Sequence, residues 1–326
     1  MAQVVNATPK RSAYDYYVQA REQYLLFTIE GYARAVPLFE KALEADPNYA
    51  LACAGLAETF SMWGYQKEYN GDDPQPDYRR ALEYARTAVG LAPGLGDAHR
   101  ALSAVYSHLT ERGQADPDRR RLFREEARKA VELNPRDAEA HWLLWGALGN
   151  PLDGDGYAYI RKALQLNPRL VAAWGDLGLA LANRGKLDQA IANYRTAIEI
   201  NPRFAPAYYN LGLAFYNKGK LEEAIDSYRK AIEINPRHGA AHCNLGVALY
   251  RQGKLDEAIS SYRKAIGIYP RDAYAFYALG FALKQQGKRE EAIAAFEEYL
   301  KLTAGVAAQK EWIPKAEALL KELRGK

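Results

Sequence analysis

A chain of 326 residues that is 48% hydrophobic has ample apolar material for a buried core, which excludes a disordered or fibrous polypeptide. Its 44 Lys and Arg against 40 Asp and Glu leave a net charge of +4, too even a balance to call for nucleic acid or an anionic membrane as partner. Cys53 and Cys243 lie far apart with no CxxC pair, so neither a disulfide framework nor a zinc site is expected and a reducing, cytoplasmic setting fits; no apolar run suits a secretory signal or reaches the roughly 18 residues of a membrane span.

A ladder of prolines punctuates the chain: Pro47, Pro93, Pro135, Pro168, Pro202, Pro236 and Pro270, with gaps of 46, 42, 33, 34, 34 and 34 residues. Self-similarity at such a period is the signature of a repeat array. In chain order the pattern predicts a tail over 1–15, helical hairpins over 16–49, 50–95, 96–137 and 138–170, four regular blocks over 171–204, 205–238, 239–272 and 273–306, and a capping helix over 307–326. The organisation is thus an irregular half, 16–137, and a regular half, 138–306.

The first hairpin is the least regular, with Glu22 and Gln23 where later blocks carry Leu and Gly. The second and third exceed 34 residues by insertions between their two helices. One spans Ser61 to Asp77 with Trp63, Tyr65, Tyr69, Pro74 and Pro76; the other, within 110–121, holds Asp116, Pro117 and the run Arg119 to Arg121. Each is read as longer helices with a covering loop, the alternative being a functional loop, and the arginines as a solvated helix face in preference to a phosphate site. In the fourth block Asn150–Gly156 (NPLDGDG) replaces the usual turn; Leu164 stands where a calcium loop needs its bidentate acid, so that motif fails and a local bend is expected.

Each regular block reads as two helices. Tyr208, Leu211, Gly212 and Phe215 form an amphipathic stripe on helix A, matched by Trp174, Leu177, Gly178 and Leu181. A Gly-Lys pair (185–186, 219–220, 253–254, 287–288) then closes helix A, because Gly accepts the positive φ of a helix C-cap. Helix B carries Ala224, Tyr228 and Ala231, matched by Ala190, Tyr194 and Ala197, and stops at Asn-Pro because the residue before proline avoids the α region. Trp312, Ala316, Leu319 and Leu320 give the terminal helix one apolar face, as a cap requires.

These residues at this period resemble the tetratricopeptide repeat (TPR) family in its bacterial type: a large aromatic, Leu-Gly, an aromatic or Leu, Ala, an aromatic, Ala and Pro. The resemblance implies an all-α, right-handed superhelical solenoid of about eight helix-turn-helix repeats, with the neighbouring stripe of helix A lining a concave groove. That stripe predicts Asp176, Tyr209, Asn210, Leu213, Tyr216, Asn244, Val247, Tyr250, Tyr274, Tyr277 and Phe281 as peptide-binding residues. Exposed aromatics with amides and little charge suit a binding surface; the alternative is that they pack one helix A against the next. Asn210 and Asn244, preceded by Asp176, are similar to two rungs of the asparagine ladder in the O-linked N-acetylglucosamine transferase superhelix. They would hold a peptide backbone or, alternatively, fix the stacking of repeats. The family's chaperone-tail clamp of lysines, asparagines and an arginine is not expected, because its groove positions hold Gly175, Leu179, Asn210, Ala240 and Asn244, or one repeat on Tyr209, Leu213, Asn244, Tyr274 and Ala278, and the cations are missing.

Five histidines, His99, His108, His141, His238 and His242, are the whole imidazole inventory, and no hydrolase, nucleotide or metalloprotease motif occurs. His99, His141 and His242 sit where Trp174 and Tyr208 sit and are read as packing residues. The expected function is therefore a non-enzymatic scaffold or adaptor that binds a partner polypeptide in its groove, without cofactor, metal, nucleic acid or membrane insertion. Self-assembly into a homo-oligomer, or service as the sensory arm of a multi-component regulator or enzyme, are the alternatives.

Overall fold

The computed structural model describes residues 10–26, 28–70, 72–110, 117–304 and 312–325, and within them every regular element is a helix. The chain folds as two compact units, residues 1–68 with 72–181, and residues 69–71 with 182–326. The first contains α1 (Arg11–Tyr24), α2 (Ile29–Ala45), α3 (Ala50–Tyr69), α4 (Gln75–Leu91), α5 (Gly96–Thr110), α6 (Pro117–Leu133), α7 (Ala138–Ala147) and α8 (Gly154–Leu166). The unit boundary falls within α9 (Val171–Asn183), and the second unit continues with α10 (Leu187–Ile200), α11 (Ala205–Asn217), α12 (Leu221–Ile234), α13 (Gly239–Arg251) and α14 (Leu255–Ile268). It ends with α15 (Ala273–Gln285), α16 (Arg289–Thr303) and α17 (Ile313–Arg324).

Within the second unit α11 packs on α12, α12 on α13, and α11 also touches α13; the scheme repeats through α13, α14 and α15, and α17 closes on α16. In the first unit α5, α6 and α7 follow the same rule. The repeat chemistry explains it. Lys220 N donates to Phe215 O at 2.9 Å and Gly219 N to Tyr216 O at 2.9 Å, the paired bonds of a Schellman cap, with Gly219 at φ 75°. At the other end Asn201 and Asn235 accept from the backbone N–H two residues on through Oδ1, at 2.9 and 3.2 Å, closing an Asx turn around each Asn-Pro-Arg.

Close helix approach depends on Gly212, Gly246 and Gly280. A methyl on Gly246 would stand 2.6 Å from Cε1 of the buried Tyr262 ring. Gly246→Ala should therefore cost about 1–3 kcal/mol by overpacking, read as a lower midpoint in urea unfolding.

Where the sequence is irregular the helices lengthen. α3 runs unbroken through Ser61, Trp63 and Tyr65 to Tyr69, so most of the 61–77 insertion is helix, and α6 starts at Pro117 as its N1 residue. Arg121 lies on the exposed face of α6 and pairs with Glu125 at 3.0 Å. Helix already starts at Arg11 within the segment read as a tail over 1–15, and the last helix runs over Ile313–Arg324 within the expected cap, of which 307–311 lie outside the described residues. Residues 1–9, Asp116 and Glu311 lie outside the described residues. At the fourth hairpin Gly149, Asn150 and Gly154 all take positive φ (86°, 55° and 60°), the reversal that lets Trp145 Nε1 donate to Pro151 O at 2.7 Å.

Candidate groove on the first helix of each repeat

In the second unit the predicted stripe falls on α11, α13 and α15. Leu213, Tyr216, Val247 and Tyr250 are half-buried, and Tyr274 is 51% exposed. The guanidinium of Arg251 lies 4.8 Å over the Tyr216 ring and puts a cation on this stripe. Burial pushes the Tyr274 hydroxyl pKa up, so the ring presents a neutral O–H donor at neutral pH.

The two asparagine rungs differ. Asn244 Nδ2 donates to Tyr209 Oη at 2.9 Å, joining α13 to α11, while the Tyr209 ring also lies 4.8 Å from the buried His238 ring. Asn244 thus ties one repeat to the next. Asn210 is half-buried and its amide makes no hydrogen bond among the described residues.

Tyr277 is more deeply buried than the rest of the stripe. Tyr277 is only 8% exposed and sits in an aromatic cluster with Phe281 at 4.9 Å, Tyr299 at 5.0 Å, Trp312 at 5.5 Å and Phe296 at 6.0 Å between centroids. There Tyr299 and Trp312 pack on Tyr277 and bury it, while Phe281, edge-on to Tyr277 and Phe296, stays half-buried like the rest of the stripe. Tyr299, standing where earlier repeats have Ala, is buried in that cluster.

In the first unit Asp176 accepts from Trp142 Nε1 at 3.0 Å. Seven residues after its proline, Trp142 is the counterpart of Tyr209, and Asp176 is the counterpart of Asn244, so the same clamp is made by a different pair. Gly175 occupies the ring position in the intervening repeat and has no side chain with which to donate or accept.

Burial raises the Asp176 carboxyl pKa to about 6 against the smaller, opposing bond from Trp142. A carboxyl that is harder to ionise when folded adds stability that is complete below its ordinary 3.8 and is lost as pH rises through about 6. Asp176→Asn keeps an acceptor for Trp142 without the charge, so it should stabilise the chain at pH 8 by at most about 3 kcal/mol and do nothing at pH 3, read by denaturation at the two pH values.

Two features of the first unit were not found from the sequence. Arg100 is buried and meets Asp137 at 2.8 Å, Glu58 at 2.9 Å, Asp97 at 3.3 Å and Glu139 at 3.5 Å, while Arg21 reaches Glu58 at 2.6 Å. Its legible signal was a charge, Arg100, at the repeat position of Tyr209. The second is Ser61 Oγ bonded to His108 Nδ1 at 2.8 Å. Ser61 has no exposure, and burial lowers the His108 pKa to about 4. Both thiols are free and buried. Among the described residues no group of His, Cys, Asp and Glu could hold a metal, and no helix is long and apolar enough to cross a membrane. His99, His141 and His242 are buried as expected, and each ring Nε2 donates to the carbonyl of the proline six residues back (Pro93, Pro135, Pro236) at 2.9–3.0 Å.

Profiles of known families match the regular half: the TPR repeat at residues 178–219, 212–253 and 248–287, and the tetratricopeptide repeat at 273–305. The chain is a tetratricopeptide repeat protein. It is similar to the solved APC/C hetero-tetramer Cut9–Hcn1, with a TM-score of 0.69 and 16% identity over 92% of this chain and 55% of that one. It is also similar to pilF of Pseudomonas aeruginosa, with a TM-score of 0.54 and 19% identity over 68% of this chain and 99% of that one. At these identities the likeness shows the fold alone. Among curated proteins it is 31% identical over 175 residues to human protein O-mannosyl-transferase TMTC1; the match covers 52% of this chain and 18% of the relative's length. TPR proteins of this kind typically mediate protein–protein interactions.

Proposed function

We propose that this TPR protein is a non-catalytic scaffold that holds an extended segment of a partner polypeptide on the α11–α13–α15 stripe. The observation that carries the reading is the unbonded, half-buried amide of Asn210, on a stripe where Asn244 is already committed to Tyr209. A side-chain amide offers a donor and an acceptor together, the pair that one peptide unit of an extended chain needs. Tyr216, Arg251 and Tyr274 add aromatic area and one cation beside it, and stacked repeats present such a surface largely preformed.

The test is capture of partners from source lysate by the intact chain and by a variant with Asn210→Ala, Arg251→Ala and Tyr274→Ala. Tyr209 and Asn244 are left alone because they tie repeats together. A partner held only by the intact chain supports the groove; equal retention by both overturns it.

Self-assembly keeps one observation in its favour, the exposed apolar edge of the first hairpin formed by Tyr14, Val18, Leu25, Leu26 and Ile29. Light scattering that returns a monomer at high concentration removes that reading.

A further inference from the structure

The α5–α6 and α7–α8 hairpins carry the same histidine with different surroundings. At His99, Nε2 donates to Pro93 O at 2.9 Å, and Nδ1 lies 2.5 Å from Glu126 Oε2. Lys129 holds the other oxygen of Glu126 at 3.2 Å. A carbonyl only accepts, so the Nε2 proton is fixed, and the doubly protonated ring is the state that satisfies both nitrogens. The bond to Glu126 accordingly raises the His99 pKa against burial, and bonds from His99 and Lys129 hold Glu126 low although burial pushes it up.

His141 keeps half of this arrangement. Its Nε2 donates to Pro135 O at 3.0 Å, it is 7% exposed, and its buried Nδ1 has no hydrogen-bond partner. Counted back from the next proline, Tyr159 stands where Glu126 stands and Lys162 where Lys129 stands. The lysine has been kept and the acid has not. Lys162 and its neighbour Arg161 are exposed and form no ion pair among the described residues. Beside them lies an open cavity of about 560 Å³ lined by His141, Ala158, Tyr159, Arg161, Lys162 and Gln165. The half-buried Tyr159 ring, 5.9 Å from the His141 ring, is the side chain that would turn to open a path to Nδ1.

We propose that this cavity receives a carboxylate, that of an aspartate or glutamate on a partner segment, which docks between His141 Nδ1 and Lys162 as Glu126 docks between His99 and Lys129. The incoming oxygen meets a ring already committed at Nε2, so a proton taken up at Nδ1 has one direction in which to donate. Arg161 supplies a second cation at the rim, and charge-assisted bonds of this kind are the stronger ones. The site shares no residue with the α11–α13–α15 stripe, so substitutions at Asn210, Arg251 and Tyr274 change none of its side chains and the two readings fail independently.

The experiment follows the histidine ring resonances of the full chain by NMR at pH 7 during titration with an oligoglutamate blocked at both ends, with acetate and with inorganic phosphate. Oligoglutamate should move the His141 Nδ1 signal toward its protonated position and saturate, leave His99 unmoved, and bind about tenfold more weakly to Lys162→Ala. Equal saturation by acetate supports the carboxylate site and names a free small acid as its source, whereas a response to phosphate alone, or to none of the three, overturns the proposal. Tyr159→Glu gives an internal check, because a carboxylate placed there should bring His141 to the protonated signal without any ligand and abolish the oligoglutamate response. An unchanged His141 in that variant also overturns it.

Discussion

Arg100→Met should destabilise the chain by about 3–5 kcal/mol at pH 7, the cost of stranding buried charge rather than the value of any one ion pair. The guanidinium of Arg100 stands among Glu58, Asp97, Asp137 and Glu139, and its removal leaves Glu58, among the described residues, paired with Arg21 alone. Burial disfavours the charged Arg100, yet the four surrounding carboxylates outweigh it and raise its pKa well above an already high value. Burial likewise pushes the Glu139 carboxyl up against the opposing pull of Arg100. The sign of the pH dependence follows: the defect is largest at neutral pH and shrinks as the stranded carboxylates protonate on acidification. Urea unfolding at pH 7 and pH 4 reads both numbers, and a defect equal at the two pH values would refute the electrostatic account.

Tyr277→Ala should cost about 3–5 kcal/mol, the range for removing a large aromatic from a packed core. A groove residue would behave differently, losing partner affinity with little change in stability. The distinction is sharp because Tyr277 touches four other aromatic rings at the closed end of the repeat array, one of them Trp312 just before α17. Thermal unfolding of the variant beside Tyr274→Ala, whose ring is half exposed, separates the two roles. The second should lie within about 0.5 kcal/mol of the parent chain, as surface substitutions usually do.

Much of the fold was legible because a repeat states its rules several times. Gly219 and Gly253 are read as helix ends from one Gly-Lys pair recurring at the same interval, and the structure gives both positive φ. The candidate groove was legible only as a stripe. Helical periodicity places Tyr209, Tyr274 and Tyr277 on a common face, but it carries no information about what stands opposite them. Tyr277 is buried because the Tyr299 and Trp312 rings pack on it, and Asn244 is engaged because a tyrosine 35 residues earlier reaches its amide. His141 was read only as packing, since its orphaned Nδ1 becomes visible once the Pro135 carbonyl is known to take Nε2.

By itself the sequence determined the helical hairpins, their ends and the TPR family, because those depend on local backbone preferences and on spacings of three and four residues repeated every 34. The tertiary structure alone decided which members of the stripe remain open, which charges are buried together around Arg100, and which histidine nitrogen lacks a partner. Those properties belong to pairs of side chains on different helices, and the free energy of a polar or aromatic group is set by whether its neighbour is water, a ring or an opposite charge.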